Sequence, residues 1–195
     1  MERAGSAYII NGLSGTGKSS LVDPLRKLLP PNWAVWDFDE MVSNLPAYGH
    51  PEVAPLPPWN PGDDVASFTH CKNICLQDAA AYDAPVVICG TLLPHEIRTD
   101  TYEMFKSLRW CGLVARPDVI RKRLRARNWD TQKQDVYANA MSWFRDIPNQ
   151  VEGFMPLIDT SDRQADDVAS EVFAWIEGVE TGVADGQTAE EPHRG

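Results

Sequence analysis

Apolar residues recur along the chain in short runs, separated by longer stretches that carry them at helical spacing. Tyr8-Ile9-Ile10 centres a first strand over residues 7–11, and a helix is expected from about Gly17 to Leu29, stopped by Pro30-Pro31. Pro24 lies inside that helix, where it lacks a donor and crowds the preceding turn, so a kink is expected there. Residues 34–37 read as a second strand and 39–45 as a short helix. Residues 46–62 hold six prolines and two glycines and read as a long loop, of the length that is often functional. In 64–82 the positions Val65, Phe68, Cys71, Cys75, Leu76 and Ala79 share one face of a helix. The run at 85–90 is continuously apolar, as a central parallel strand is. A helix over 95–108, a strand over 110–115, and a helix opened by Pro117 with Ile120 and Leu124 inward follow. The pattern closes with a helix over 131–145, a strand over 155–159 and a helix over 165–176. Strand alternating with helix predicts an α/β domain with a parallel sheet.

The 195 residues suffice for one domain, taken as 1–177, and 178–195 is an acidic stretch with few apolar anchors, expected to be a disordered tail. No stretch of about 18 apolar residues occurs, and residues 1–6 lead into the first strand without a charged-then-apolar segment, so a cytoplasmic protein off the membrane is expected. Cys71, Cys75, Cys89 and Cys111 lack any paired zinc spacing and read as buried thiols. His50, His70 and His95 have no metal-ligand spacing either. The net charge is −10, and proteins that live on nucleic acid are usually basic, which counts against a polynucleotide partner. One basic run, Arg121 to Arg127, stands out, and a local cluster of this size suits a small anion.

The chemistry enters at Gly12-Leu13-Ser14-Gly15-Thr16-Gly17-Lys18-Ser19, a full match to G-x-x-x-x-G-K-[ST] between a strand and a helix. Glycines let several backbone N–H groups converge on one anion, and the following helix points its positive end at the same place. Gly12, Ser14, Gly15, Thr16, Gly17, Lys18, Ser19 and Ser20 are therefore the expected triphosphate-binding residues, with Lys18 on the β and γ phosphates and the Ser19 hydroxyl on Mg²⁺.

A guanine-nucleotide switch would need Asn-Lys-x-Asp, and the nearest string is Gln132-Lys133-Gln134-Asp135. A motor ATPase would carry an acid at the end of the 85–90 strand, which instead ends Cys89-Gly90. The acids come from Asp37-Phe38-Asp39 at the end of the second strand, where an extended chain puts both carboxylates on one face. Phosphoryl transfer uses one acid for the metal (Asp37) and one to orient the acceptor hydroxyl and take its proton (Asp39). The competing reading makes Asp39 a helix cap and leaves Asp37 solvated. Arg123 and Arg127, four apart on one helical row, are expected to close over the phosphates and neutralise developing charge. Acceptor contacts are sought in the Pro-rich loop, at Thr91, His95 and Glu96, and at the loop tryptophans Trp59 and Trp129; Trp33, Trp36, Trp110, Trp143 and Trp175 are expected in the core.

Taken together, G-x-S-G-x-G-K-S, then Asp-x-Asp, then Arg123-Leu124-x-x-Arg127, then "LIDTS" before a helix, resemble the small P-loop kinases over residues 7–177. These include shikimate and gluconate kinases, adenylate-kinase relatives and chloramphenicol phosphotransferase. The segment "LPPNWAVWDFDEMVSNLP" is most similar in layout to the last, whose single Asp at the Asp39 position is the acceptor base. The resemblance implies a P-loop NTPase fold: a five-stranded parallel sheet in the order 2-3-1-4-5, helices on both faces and an Arg-bearing lid over about 121–135. It also implies that Asp159, Thr160 and Ser161 sit near the adenine. The expected activity is ATP- and Mg²⁺-dependent transfer to the hydroxyl of a small molecule such as a nucleoside or antibiotic-like alcohol. The alternatives are a nucleoside monophosphate or polynucleotide 5′-end kinase, or a regulatory nucleotide-binding ATPase module. Two departures leave the acceptor open: the third strand lacks the acid that chloramphenicol phosphotransferase-like proteins have there, and no glycine triplet like that of shikimate kinases occurs.

Overall fold

The structure is a computed structural model that describes residues 4–44, 65–150 and 155–182. The Pro-rich loop and Trp59 lie outside the described residues, as does the tail from 183 onward. Five strands form one parallel sheet: β1 (Ala4–Gly12), β2 (Ala34–Asp37), β3 (Val86–Gly90), β4 (Phe105–Val114) and β5 (Leu157–Asp159). Their order is β2-β3-β1-β4-β5, the expected one, with every pairing parallel. Among the described residues seven α-helices accompany them: α1 (Val22–Leu28), α2 (Phe38–Ser43), α3 (Val65–Ala80), α4 (Thr99–Glu103), α5 (Pro117–Ala126), α6 (Thr131–Asp146) and, after β5, α7 (Ala165–Glu180).

Alternation along the strands divides the core into two layers. Ala7 and Ile9 of β1, with Val86, Ile88 and Trp110, pack under α2, α3, α5 and α6. Tyr8 and Ile10, with Val35, Val87, Cys111 and Ile158, pack under α1 and α7. All four cysteines are buried free thiols, two in each layer. The chain leaves β1 for one half of the sheet and later crosses to the other, so the carboxyl end of β1 is the switch point at which α/β sheets bind ligands.

Four local expectations are corrected. The helix expected over 95–108 is a 3₁₀ turn at Pro94–Glu96 followed by the five-residue α4, and β4 begins at Phe105. Residues 105–109 become strand because β1 starts at Ala4 and offers them a pairing edge, with Ala4 opposite Phe105. The helix expected from Gly17 is split into a 3₁₀ turn at Lys18–Leu21 and then α1. That break leaves Pro24 in the first turn of α1, where its missing donor costs no α-helical bond. Trp143 is exposed on α6 rather than in the core. Finally, α7 runs on to Glu180, past the point near Gly178 where the tail is expected to begin.

Candidate active site

The turn after β1 is built from backbone geometry. Gly15 has φ 89° and Gly17 φ 102°, a left-handed region that disfavours side chains. A Cβ on Gly12 would lie 2.5 Å from the Thr16 hydroxyl oxygen, so glycine is needed for the loop to close on itself. Thr16 closes it twice, donating to the Leu13 carbonyl from its amide (3.2 Å) and its hydroxyl (2.8 Å). Lys18 Nζ donates to the same carbonyl at 3.2 Å. Burial of the ammonium lowers its pKa, and Asp39 and then Asp37 oppose that by favouring the charged form. Arg127 adds to the lowering. One lysine therefore feels the charges of both acids of β2–α2 and of Arg127, which caps α5.

Asp37 ends β2 and is the N-cap of α2, its Oδ1 accepting from the amides of Asp39 (2.9 Å) and Glu40 (3.4 Å). The cap is thus Asp37, not Asp39. Asp39, in the first turn of α2, keeps an exposed carboxylate. Gly90 lets this corner approach the sheet, since a Cβ there would lie 2.3 Å from the Cβ of Phe38.

On the other side of the turn, Arg123 is not poised in an open lid. Its guanidinium donates to the Gly15 carbonyl (3.1 Å), the Thr160 hydroxyl (3.0 Å) and the Thr160 carbonyl (2.6 Å). The segment expected as a lid consists of α5, a tight turn and α6. Arg121 of α5 bonds Asp135 and Asn139 of α6, and Asn128 turns the corner at φ 60°. Arg127 remains exposed at the end of α5. Asp159 faces solvent, accepts from the Ser161 amide and lies 3.6 Å from Arg145; hydrogen bonds from Ser161 and the Arg145 charge outweigh desolvation and lower its pKa.

Polar residues also frame the edge of the sheet beside the turn, among them Asn11 and Asn73, which the sequence reading leaves aside. Asn11, fully buried, accepts at Oδ1 from the amides of Gly12 (2.8 Å) and Leu92 (3.3 Å), tying the phosphate turn to the loop after β3. Its signal in the sequence is a lone polar residue closing an apolar strand. Thr91 strengthens the same tie through its hydroxyl to the Gly12 carbonyl (2.7 Å). Glu96, expected to face the acceptor, is instead paired with Lys72 of α3 at 2.5 Å and accepts from the Leu93 amide. Asn73 beside it bonds the Glu96 carbonyl, the Arg98 amide and Thr101. His95 is exposed. Trp129 packs on Tyr137 with Lys133 over its ring, so its face is already used within the α5–α6 corner.

The donor set fits a nucleoside triphosphate, because the left-handed Gly15 and Gly17 and the bare Gly12 let the turn fold tightly on itself, as backbone amides that converge on an anion require. It also fits Mg²⁺, which takes one or two protein oxygens beside phosphates and water; the exposed Ser19 hydroxyl and Asp37 are of that kind. Among the described residues no group of three or more His, Cys, Asp or Glu side chains could hold a metal by itself, and no helix is long and apolar enough to cross a membrane.

No protein-family model and no curated protein matches the chain. Solved structures do. A gluconokinase from Sinorhizobium meliloti 1021 is similar at a TM-score of 0.63 and 15% identity, over 96% of this chain and 100% of its own. A shikimate kinase from Acinetobacter baumannii, in complex with shikimate, gives 0.57 and 14% over 91% and 95%. The tunicamycin resistance protein of Deinococcus radiodurans gives 0.56 and 18% over 89% and 96%. The fold is that of the small-molecule P-loop kinases.

Proposed function

We propose that the protein is an ATP- and Mg²⁺-dependent phosphotransferase that moves the γ-phosphate to a hydroxyl of a small molecule, a nucleoside or an antibiotic-like alcohol. The observation that carries this is the register of the sheet: Asp37 stands opposite Cys89 of β3 and Cys89 opposite Ile10 of β1, which puts the acids that end β2 at the same carboxyl edge as the turn that holds Lys18. The fold it shares with gluconokinase and shikimate kinase agrees with a small hydroxylated acceptor.

In this reading Lys18 and the amides of the turn hold the β and γ phosphates. Ser19 and Asp37 would hold Mg²⁺, whose charge offsets that of the phosphates. Asp39 orients the acceptor hydroxyl and takes its proton as the oxygen attacks the γ-phosphorus; the bond to the β–γ bridging oxygen breaks and ADP leaves. Asp39 suits this role because its carboxylate is not used by the helix cap. Arg127 offsets charge on the transferred group. The adenine ring would lie toward the loop that holds Asp159 and Thr160.

The test is incubation with γ-labelled ATP and Mg²⁺ across a panel of alcohols, nucleosides, nucleoside monophosphates and 5′-hydroxyl oligonucleotides. Label is expected on an alcohol or nucleoside. Label on a monophosphate or an oligonucleotide end would move the acceptor class, and slow phosphate release indifferent to every acceptor would replace the kinase with a regulatory ATPase.

A further inference from the structure

Thr160 is nearly fully buried, and its hydroxyl sits between three elements. It is 2.8 Å from the Thr16 carbonyl and 3.3 Å from that of Val114, and it accepts from Arg123 at 3.0 Å. A hydroxyl has one proton, and the shorter contact assigns it to Thr16. The Thr160 amide meanwhile donates to the Val114 carbonyl at 2.9 Å, fixing the residue to the end of β4.

The consequence follows from peptide geometry. No described peptide bond is cis, so the N–H of Gly17 points opposite to the carbonyl of Thr16 in one rigid plane. A hydroxyl that holds this carbonyl toward the end of β4 and the loop after β5 turns the Gly17 N–H the other way, away from both. Gly17 has almost no intrinsic preference for that orientation, being glycine at φ 102°. Arg123 holds the preceding carbonyl, of Gly15, in the same manner.

We infer that Thr160 is a positioning residue for the phosphate turn: it acts through the Thr16 carbonyl to aim the Gly17 amide at phosphate, and does not read the base. The inference rests on the nucleotide-binding reading above. It makes the loop after β5 part of the phosphate site, and it gives Arg123 a share in the same duty by anchoring the Thr160 hydroxyl from behind.

The test titrates wild type, Thr160→Val and Thr160→Ser with ATP and with inorganic tripolyphosphate, which has no base, by calorimetry, with urea unfolding of each alongside. Losing one hydrogen bond that orients a donor is expected to weaken both ligands about five- to tenfold in Thr160→Val, while Thr160→Ser stays within about twofold of wild type. Thr160→Ala repeats the comparison should valine not be accommodated. Unchanged tripolyphosphate affinity in the hydroxyl-free variants overturns the inference, as does a loss confined to ATP. Wild type that binds neither ligand overturns the nucleotide reading itself, a result distinguishable from the other two.

Discussion

The two sides of the proposed site are held in different ways. The phosphate side is a closed circuit: Thr16 bonds back to Leu13, Thr160 bonds Thr16, and Arg123 bonds both Gly15 and Thr160. Its parts come from the turns after β1 and β5 and from α5, which packs Ile120 and Leu124 into the core, so the turn is braced from elements seated on the core. The acceptor side rests on a six-residue helix carrying an exposed Asp39, and on a loop after β3 held by Asn11, Thr91, Asn73 and the Lys72–Glu96 pair. A triphosphate offers the same shape to every enzyme that binds it, so backbone amides in one fixed turn suffice. An acceptor is recognised by its particular groups, and that work falls to side chains and loops, which can vary while the turn stays.

The sharpest way to break this division is to remove one charge from each side. Lys18→Ala strikes the phosphate side and is expected to lower transfer by about 10²–10³-fold or more, with ATP affinity lost as well. Asp39→Asn strikes the other side: transfer should fall by about 10²–10⁴-fold while ATP affinity stays within about threefold. Calorimetric ATP titration beside a transfer assay separates them. Full activity in Asp39→Asn would remove the base from the mechanism, and parallel loss of ATP binding would mean that the two sides are not separable.

The same contrast explains what could be read from the sequence. The phosphate turn was legible because its chemistry requires glycines and a lysine at contiguous positions, between a strand and a helix. Asp37 and Asp39 were legible as a pair because they follow a strand directly, though the cap was not: the competing reading gives it to Asp39, and the backbone gives it to Asp37. The strand order came through resemblance to a family, not from the pattern of apolar positions. Contacts between distant residues left no local signal. Thr160 reaches Thr16 across 144 positions, and Lys72 reaches Glu96 across 24. The same holds for β4, whose first residues become strand only because β1 extends back to Ala4 beside them. Arg123 and Arg127 share a helical row, yet one turns inward to Gly15 and Thr160 while the other stays exposed, a difference that no spacing encodes.

A smaller effect sharpens the comparison on the acceptor side. Lys72 and Glu96 are each about a tenth exposed, so Glu96→Gln leaves an ammonium with little water around it. The loss of stability is expected at about 3 kcal/mol, read as a lower urea midpoint at unchanged slope. ATP affinity, braced from the other side, should hardly change. A large fall in ATP affinity would show that the loop after β3 supports the phosphate turn through Asn11 and Thr91 more than the closed circuit suggests.

The smallest effect lies at alkaline pH and compares the two core layers below the site. Burial raises the Cys75 thiol, under α3, from its ordinary 9.0 to about 12, with Asp78 adding to the shift. Burial also raises Cys89, in the layer under α1, to about 12, with Asp37 adding and Lys18 opposing. A pKa raised in the folded state means that between 9.0 and about 12 the unfolded chain has lost protons that the folded chain keeps. Stability is then fully present below pH 9 and falls as pH rises through that window. Tyr8 and Tyr102, raised chiefly by burial, act in the same direction at higher pH. Urea midpoints measured from pH 8 to 11 should therefore decline. Cys75→Ala and Cys89→Ala should each flatten that decline by a similar amount, since the two thiols are shifted alike. Flattening by Cys75→Ala alone would mean that Lys18 takes up the charge of an ionised Cys89, and that the layer beneath the phosphate turn tolerates an anion which the layer beneath α3 does not.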